Sequence, residues 1–281
     1  MSSQPVSAEE TRIVLTDAAA AERLAGDARQ QGLVVSTGQR GVHHWVSWLG
    51  EASLPLPAGA ERFSLSAERP RLDTPGLLLM DMDSTAIGIE CIDEIARAGG
   101  VYDEVSQVTE AAMRGELGFE ESLRQRVAKL DGISASVLDE IAANLPLNPG
   151  LEALVEGLKQ AGWKVALASG GFNRIASVLA AHLGLDHFQA NDLEEADGVL
   201  TGRVSGEIVG AEVKAAILAQ LGEKYGIPQS QWVAMGDGAN DLPMMNRAAL
   251  GVGFRAKPAV AAQADAHLAA LGLDATLVLL I

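Results

Sequence analysis

Residues 76–80 read Gly-Leu-Leu-Leu-Met, an apolar run that stops at two aspartates one residue apart, Asp81 and Asp83, within the stretch GLLLMDMDSTAIGIECIDEIA at 76–96. A run that is apolar at successive positions, instead of alternating, suits a parallel strand buried on both faces, and parallel strands need helical crossovers. The feature therefore predicts an α/β chain. In sheets of that kind the C-terminal ends of the strands open onto the crevice that takes ligands, which is where Asp81 and Asp83 would stand. Residues i and i+2 of an extended backbone project to the same side, so both carboxylates can serve one centre while Met82 points away. Two anions side by side repel unless a cation joins them, and hard oxygen donors suit Mg²⁺ better than zinc. An isolated Asp-x-Asp is more often an acidic turn or a helix cap, so the rest of the chain has to decide.

A second acidic cluster follows the same plan in WVAMGDGANDLPMM at 232–245. The apolar strand from Trp232 to Met235 runs into Gly236-Asp237-Gly238 and then Asn240-Asp241. Glycines on either side of Asp237 let the backbone turn sharply and approach a bound group closely. Alone this is as readily an Asx turn, but beside Asp81 and Asp83 it reads as a third carboxylate for the same cation. In WKVALASGGFNRIASVLAAHLGL at 163–185, a strand over 164–168 ends in Ser169-Gly170-Gly171, and an amphipathic helix is expected over 172–183. Free N–H groups at that helix start, with the Ser169 hydroxyl, make an anion site suited to phosphate. Lys214, in GAEVKAAILAQLGEKYG, lies early in a helix whose apolar stripe would include Val213, Ile217, Leu218 and Leu221. A lone lysine on a helix is usually solvated.

The order DMDST, SGG, a helical lysine and GDGxND resembles the haloacid dehalogenase (HAD) superfamily of phosphohydrolases, over roughly residues 75–270 and with no departure at a motif position. IECIDEIA after the first motif and AMRGELGFEESLRQRV at 112–127 resemble the cap segment of the superfamily's phosphoserine phosphatases. The fold this resemblance implies is a HAD-like Rossmannoid parallel sheet flanked by helices, with a helical cap inserted after the first catalytic strand. The activity it implies is Mg²⁺-dependent hydrolysis of O-phospho-L-serine to L-serine and phosphate, the last step of serine biosynthesis. By the same resemblance Asp81 is the nucleophile that forms an aspartyl phosphate, and Asp83 gives a proton to the seryl oxygen and then takes one from water. One Mg²⁺ falls to Asp81, the backbone carbonyl of Asp83 and Asp237. Phosphate oxygens fall to Ser169, Lys214 and Asn240, with Asp241 positioning Lys214. Glu90 would meet the substrate ammonium and Arg126 its carboxylate, while Met113, Phe119 and Gly170 close around the short side chain. By pattern alone Glu90 is a first-turn helix residue and Arg126 a surface partner of Glu120 or Glu121; only the resemblance moves them into a site.

Composition sets the boundaries. With 37 acidic and 21 basic residues the net charge is −16, which disfavours nucleic acid as a partner. The one cysteine, Cys91, excludes an internal disulfide and a cysteine-built zinc site, and the five histidines form no zinc-ligand pattern. The opening MSSQPVSAEE lacks the basic and apolar regions of a secretory signal, and no stretch has the length of a membrane span, so a cytoplasmic chain is expected. Residues 1–10 are polar and expected to be mobile. Residues 1–74 are expected to form a small α/β module plus linker, with a loose likeness to regulatory ligand-binding domains of the ACT type and an equally good fit to packing or homodimerisation. The linker is placed at LPLPAGAERFSLSAERPRLDTPG, 54–76, the phosphatase core at 75–281 and its helical cap at about 90–147. VLTGRVSGEIV at 199–209 reads as a hairpin through Thr201-Gly202. Rival readings are another small-metabolite phosphatase, a phosphotransferase with an alcohol acceptor such as homoserine, and a phospho-accepting receiver module. The receiver reading has no use for Asp83 or for a cap.

Overall fold

The computed structural model describes residues 9–281, so residues 1–8, most of the polar stretch expected to be mobile, lie outside the described residues. The chain starts with β1 (Glu10–Leu15), α1 (Ala18–Gln30), β2 (Ser36–Arg40), β3 (His43–Leu49) and β4 (Glu61–Leu65), whose strands form an antiparallel sheet in the order β2-β3-β1-β4. Helix α1 is capped by Asp17, whose carboxylate accepts the Ala20 N–H at 3.0 Å. Strand β1 has no solvent face. Ile13 and Leu15 pack with Leu24 and Ala28 of α1, whereas Val14, with Phe63 and Leu65 of β4, joins the large core that contains Leu273 and Leu277. The stretch read as a linker thus contains β4; the alternation of buried Phe63 and Leu65 with exposed neighbours was masked by prolines and glycines on both sides.

The second half of the fold is an α/β unit. Strand β5 (Leu77–Met80) leads into a cap of helices α2 (Cys91–Ala98), α3 (Tyr102–Met113), α4 (Phe119–Ala128) and α5 (Ser136–Ala142). The chain then returns through α6 (Leu151–Gln160), β6 (Lys164–Phe172), α7 (Asn173–Leu183), β7 (His187–Ala196), β8 (Val199–Ser205) and α8 (Ala211–Tyr225). It finishes with β9 (Trp232–Gly236), α9 (Leu242–Arg247), β10 (Leu250–Phe254), α10 (Pro258–Ala261), β11 (Ala266–Leu268) and a 3₁₀ segment at Leu273–Val278. The seven strands run in the order β11-β10-β9-β5-β6-β7-β8, parallel except for β8 at one edge. All of Leu77–Met80 is buried, with Leu78 and Met80 packed into one hydrophobic cluster and Leu77 and Leu79 into the other, which is why β5 shows no polar alternation. Met80 pairs with Leu167 of β6 and Met235 of β9. One residue further on, Asp81, Ala168 and Gly236 stand at the same level, so register alone brings the three motif-bearing strand ends together. No helix among the described residues is long and apolar enough to cross a membrane.

The expected hairpin through Thr201-Gly202 is incorrect. Strand β8 is continuous through both residues and pairs antiparallel with β7, and the turn falls at Asp197-Gly198, both at positive φ (51° and 80°). Asp-Gly is the stronger signal, because a two-residue hairpin turn of matching twist needs positive φ at both positions. Gly202 has positive φ within the strand, next to a register shift opposite Leu193 and Glu195.

The N-terminal sheet is fastened to the C-terminal residues by charged side chains on backbone groups. Arg12 donates to the carbonyls of Val278 and Leu280, Arg40 to Leu277, and Arg69 to Leu279 at 2.6 Å. Glu10 ties Arg12 and Arg69 together at 2.7 and 2.6 Å. On β4 the Glu61 carboxylate accepts the N–H groups of Ala269, Ala270 and Leu271. Removing Arg12 would leave Glu10 and two carbonyls short of a partner in a buried place. Arg12→Ala is therefore expected to cost about 3 kcal/mol or more in urea unfolding, against about 1 kcal/mol for Arg40→Ala, which loses a single carbonyl contact. Equal small losses would show that the arginines add nothing beyond surface packing.

Candidate active site

At the C-terminal edge of the parallel sheet the three strand ends surround one buried lysine. Lys214, in the first turns of α8, has no exposed surface, and its Nζ lies 2.8 Å from Asp81 Oδ1 and 2.8 Å from Asp241 Oδ1. Asp81 sits just past β5, where its N–H donates to the Met235 carbonyl (2.9 Å) and its Oδ1 accepts the Met82 N–H (2.7 Å). Asp241 uses its other oxygen to accept the N–H groups of Asp237 (3.2 Å) and Gly238 (3.0 Å), folding the GDGAND turn around itself. Asp237 Oδ1 accepts the Thr85 hydroxyl at 3.1 Å. Among the described residues, Asp81 Oδ2 and Asp237 Oδ2 accept no hydrogen bond.

Carboxylate oxygens of Asp81, Asp237 and Asp241 lie within 4.8 Å of one another, a spacing that can hold a metal ion. Asp241 is saturated by Lys214 and two backbone donors, so the free oxygens belong to Asp81 and Asp237. Asp83 is expected to join this pair through its backbone carbonyl. Its carboxylate stands apart, with Oδ2 accepting the Cys91 N–H (3.3 Å) and Oδ1 buried without a partner. A cluster of oxygen donors with unpaired lone pairs and no sulfur or imidazole is chemically matched to a hard divalent ion.

The charge balance points the same way. Burial pushes the Asp81 carboxyl well above the usual range and the Asp241 carboxylate adds to that, while Lys214 pulls the other way. Burial, then the nearby Glu90 carboxylate, pushes Asp83 up to about 7. Burial, then Asp241 and Glu90, pushes Asp237 up to about 6. Burial opposes the charge on Lys214, but Asp241 and Asp81 outweigh it and its pKa ends above the ordinary lysine value. Lys214, with Lys257 and Arg126 on the cavity wall, leaves the carboxylates of the site in excess.

The expected phosphate cradle differs in local structure from its sequence reading. Strand β6 continues past the expected end at residue 168, through Ser169, Gly170 and Gly171 to Phe172, and α7 starts at Asn173, one residue later than expected, so the glycines lie on a bulged strand end. The side chain of Asn191 explains the extension: its Nδ2 donates to the Gly170 carbonyl (2.8 Å) and its Oδ1 accepts the Val209 N–H (2.8 Å). Ser169 Oγ accepts the Gly171 N–H at 2.9 Å. A Cβ at Gly171 would stand 2.7 Å from Met82 Cε and 3.1 Å from Asp83 Oδ2, and one at Gly170 would stand 2.9 Å from Phe119 Cζ, so a side chain at either position would displace Met82 or Phe119.

A cavity of about 660 Å³ opens above this floor. Asp81, Asp83, Ser169, Gly170, Asp237 and Asn240 line it from the core, and Glu90, Met113, Phe119 and Arg126 from the cap side. Lys214 and Asp241 are not on its wall; they stand behind Asp81. Glu90 accepts the Ser84 hydroxyl at 2.6 Å, and Arg126 is half-buried with a single long contact to the Ser122 carbonyl (3.4 Å). Burial lowers the Arg126 pKa, opposed by Glu90, Asp93 and Asp83. Arg126 makes no ion pair with Glu120 or Glu121 among the described residues, whereas Glu90 does stand at the start of α2, as its N-cap residue. Sequence reasoning missed Thr85, quoted within DMDST but given no task, and Asp93, a cavity-lining acid on the same helix face as Glu90.

The crowding of carboxylates has a measurable consequence. A carboxyl whose folded pKa lies above its unfolded value destabilises the fold wherever it is forced to ionise, so at neutral pH its neutral isostere should stabilise. Asp81→Asn is therefore expected to raise the thermal midpoint of the protein in chelator, as measured by calorimetry. A lower midpoint would mean that the Lys214–Asp81 attraction outweighs the repulsion.

Comparison with known proteins places this geometry. Residues 76–249 match the family described as haloacid dehalogenase-like hydrolase. The chain is 53% identical over 211 residues to the phosphoserine phosphatase of Haemophilus influenzae, covering 75% of this chain and 67% of that one. It is 55% identical over 190 residues to the phosphoserine phosphatase of Idiomarina loihiensis, covering 68% and 86%. Among solved structures, the unliganded probable phosphoserine phosphatase from Vibrio cholerae superposes with a TM-score of 0.82 at 39% identity, over 96% of this chain and 86% of that one. A substrate-bound phosphoserine phosphatase superposes with a TM-score of 0.70 at 38% identity, over 74% of this chain and 99% of that one.

Proposed function

Since the chain belongs to the haloacid dehalogenase-like hydrolase family, we propose that it hydrolyses O-phospho-L-serine to L-serine and inorganic phosphate. The observation that carries this reading is the polarity of the cavity. Its floor gathers Asp81, Asp83 and Asp237, and its far wall sets an anionic group, Glu90, and a half-buried, nearly unpaired cationic one, Arg126, both on cap elements. A small zwitterion bearing a phosphate matches all three.

In this reading the Asp81 carboxylate attacks phosphorus, held in place by the contacts of its Oδ1 with Lys214 and the Met82 N–H. A P–O bond forms to Asp81 as the bond from phosphorus to the seryl oxygen breaks, and the proton on Asp83 goes to that oxygen. Water then attacks the aspartyl phosphate, Asp83 takes its proton, and cleavage of the P–O bond to Asp81 frees phosphate. Burial and the Glu90 carboxylate hold Asp83 near 7, which suits a group that must both give and take a proton. Lys214 and Asp241 fix the nucleophile from behind. Mg²⁺, held by Asp81, Asp237 and the Asp83 carbonyl, would supply positive charge to the phosphoryl oxygens. Ser169 and Asn240 offer a hydroxyl and an amide to the same oxygens, and Glu90 and Arg126 orient the amino-acid end. Residues 9–74 are proposed to brace the core, since one face of their sheet is merged with it.

Phosphate release from phosphoserine should cease in excess chelator and return with Mg²⁺; full activity in chelator would remove the metal from the scheme. Asp81→Asn should lose turnover by several orders of magnitude, because an amide cannot form the acyl phosphate. Glu90→Gln and Arg126→Ala should each lower kcat/KM for phosphoserine by about 10²-fold, the worth of a charge-assisted contact plus lost closure. p-Nitrophenyl phosphate has neither amine nor carboxylate and should lose far less. Equal losses on both substrates would reduce the assignment to an unspecified small-molecule phosphatase.

A further inference from the structure

The two chain segments that join cap to core are bonded to each other and to the loop that carries the catalytic carboxylates. Outbound, residues 82–89 leave β5. Inbound, residues 145–148 return from α5. Ile87 and Leu147 form an antiparallel bridge, the Gly88 N–H donates to the Pro146 carbonyl (2.8 Å), and the Asn148 N–H donates to the Ala86 carbonyl (3.0 Å). Asn148 adds a side-chain clamp. It is buried, and its Nδ2 donates to the carbonyl of Thr85 at 2.8 Å and reaches that of Ser84 at 3.4 Å. Ser84 needs the help, because its backbone is left-handed (φ 58°, ψ −5°), a conformation that non-glycine residues seldom adopt unless their surroundings impose it. The side chains of the two clamped residues act on the site: Thr85 donates to Asp237 Oδ1 (3.1 Å), and Ser84 donates to Glu90 (2.6 Å).

We propose that Asn148 is a positioning residue for phosphoryl transfer, acting through the carbonyls of Ser84 and Thr85 to hold loop 83–86 in register with Asp237 although it does not touch the cavity. The inference rests on the reading of Asp81 and Asp237 given above. It extends that reading to the hinge: the same amide that fastens the cap's return strand fixes the loop between Asp83 and Glu90, so cap position and alignment of the acidic centre are set together.

The test uses the full chain with two substrates, phosphoserine and p-nitrophenyl phosphate, and Mg²⁺ titrated calorimetrically into the metal-free protein. Asn148→Asp is nearly isosteric but presents no donor to the two carbonyls, and Asn148→Ala removes the clamp without adding charge, serving where Asn148→Asp does not fold. Either variant should lose about tenfold or more in kcat on both substrates, the scale expected when reacting groups are misplaced by a fraction of an ångström to an ångström. KM for p-nitrophenyl phosphate should move by less than about threefold, and Mg²⁺ should bind more weakly than to wild type. Thr85→Val, which keeps the shape and loses the hydroxyl, should weaken Mg²⁺ binding likewise, and combining it with Asn148→Ala should be clearly less than additive, because both interrupt one path. Folded Asn148 variants that keep kcat and Mg²⁺ affinity within about twofold of wild type, or losses that simply multiply with those of Thr85→Val, would overturn the proposal and leave Asn148 a packing residue. A wild-type protein that hydrolyses p-nitrophenyl phosphate but not phosphoserine would overturn the substrate assignment alone, since the Asn148 arm is read on either substrate.

Discussion

Everything at the sheet edge is arranged around an ammonium group without access to water. Lys214 Nζ contacts Asp81 and Asp241 at the same distance, 2.8 Å, and has no exposed surface. A buried lysine is tolerated only when its charge is matched, and removing the lysine would leave two buried carboxylates facing each other without a counter-ion. The pairing dictates what the neighbouring segments can do. Asp241 must reach back from the GDGAND turn, which forces the tight course past Gly236 and Gly238, and Asp81 must present one oxygen to the lysine and leave the other free. The nucleophile of the proposed reaction is thus oriented by an interaction that never enters the cavity.

Asp81, Asp83, Asp237, Asp241, Glu90 and Asp93 outnumber Lys214, Lys257 and Arg126, so the site carries an excess of negative charge that a cation would offset. Asp81, Asp83 and Asp237 all have pKa values above the ordinary carboxyl range, with burial as the main cause in each case. A pocket that resists its own negative charge is ready to accept a cation and a phosphate together, the cation offsetting the carboxylates and the phosphate offsetting the cation. The −16 net charge of the chain matters little at this range, since the screening length at physiological salt is about 8 Å.

Much of this was legible in the sequence because the site is built from strand ends. A parallel strand buried on both faces has to be apolar, and its end is marked by the first polar residue, so Asp81 and Asp237 could be located without coordinates. What stayed hidden has no periodic or compositional trace. The burial of Lys214 depends on where α8 crosses the sheet. Arg12, Arg40 and Arg69 bind backbone carbonyls, which leave no signature in the residues that own them. Strand β4 lay between prolines and glycines and read as linker. The hairpin turn lies at Asp197-Gly198, just before the stretch that reads as the hairpin, and this pair supplies two successive positive-φ positions. Asn148 is one amide in NLPLNPG, and its place against Ser84 and Thr85 depends on the cap chain returning beside the strand it left.

That return explains how a cap can be both an insertion and a working part of the site. An insertion with two separate tethers would be free to move without disturbing the core. Here the tethers pair with each other, and the outbound one is the continuation of the loop that holds Asp83, Thr85 and Glu90. The cap is also tied down at its far side, where residues 132–135 pair with Gly198 and Leu200 and Arg174 joins Asp139 of α5 to Glu195 of β7. Helices α3 and α4, which carry Met113, Phe119 and Arg126, lie between these two anchors.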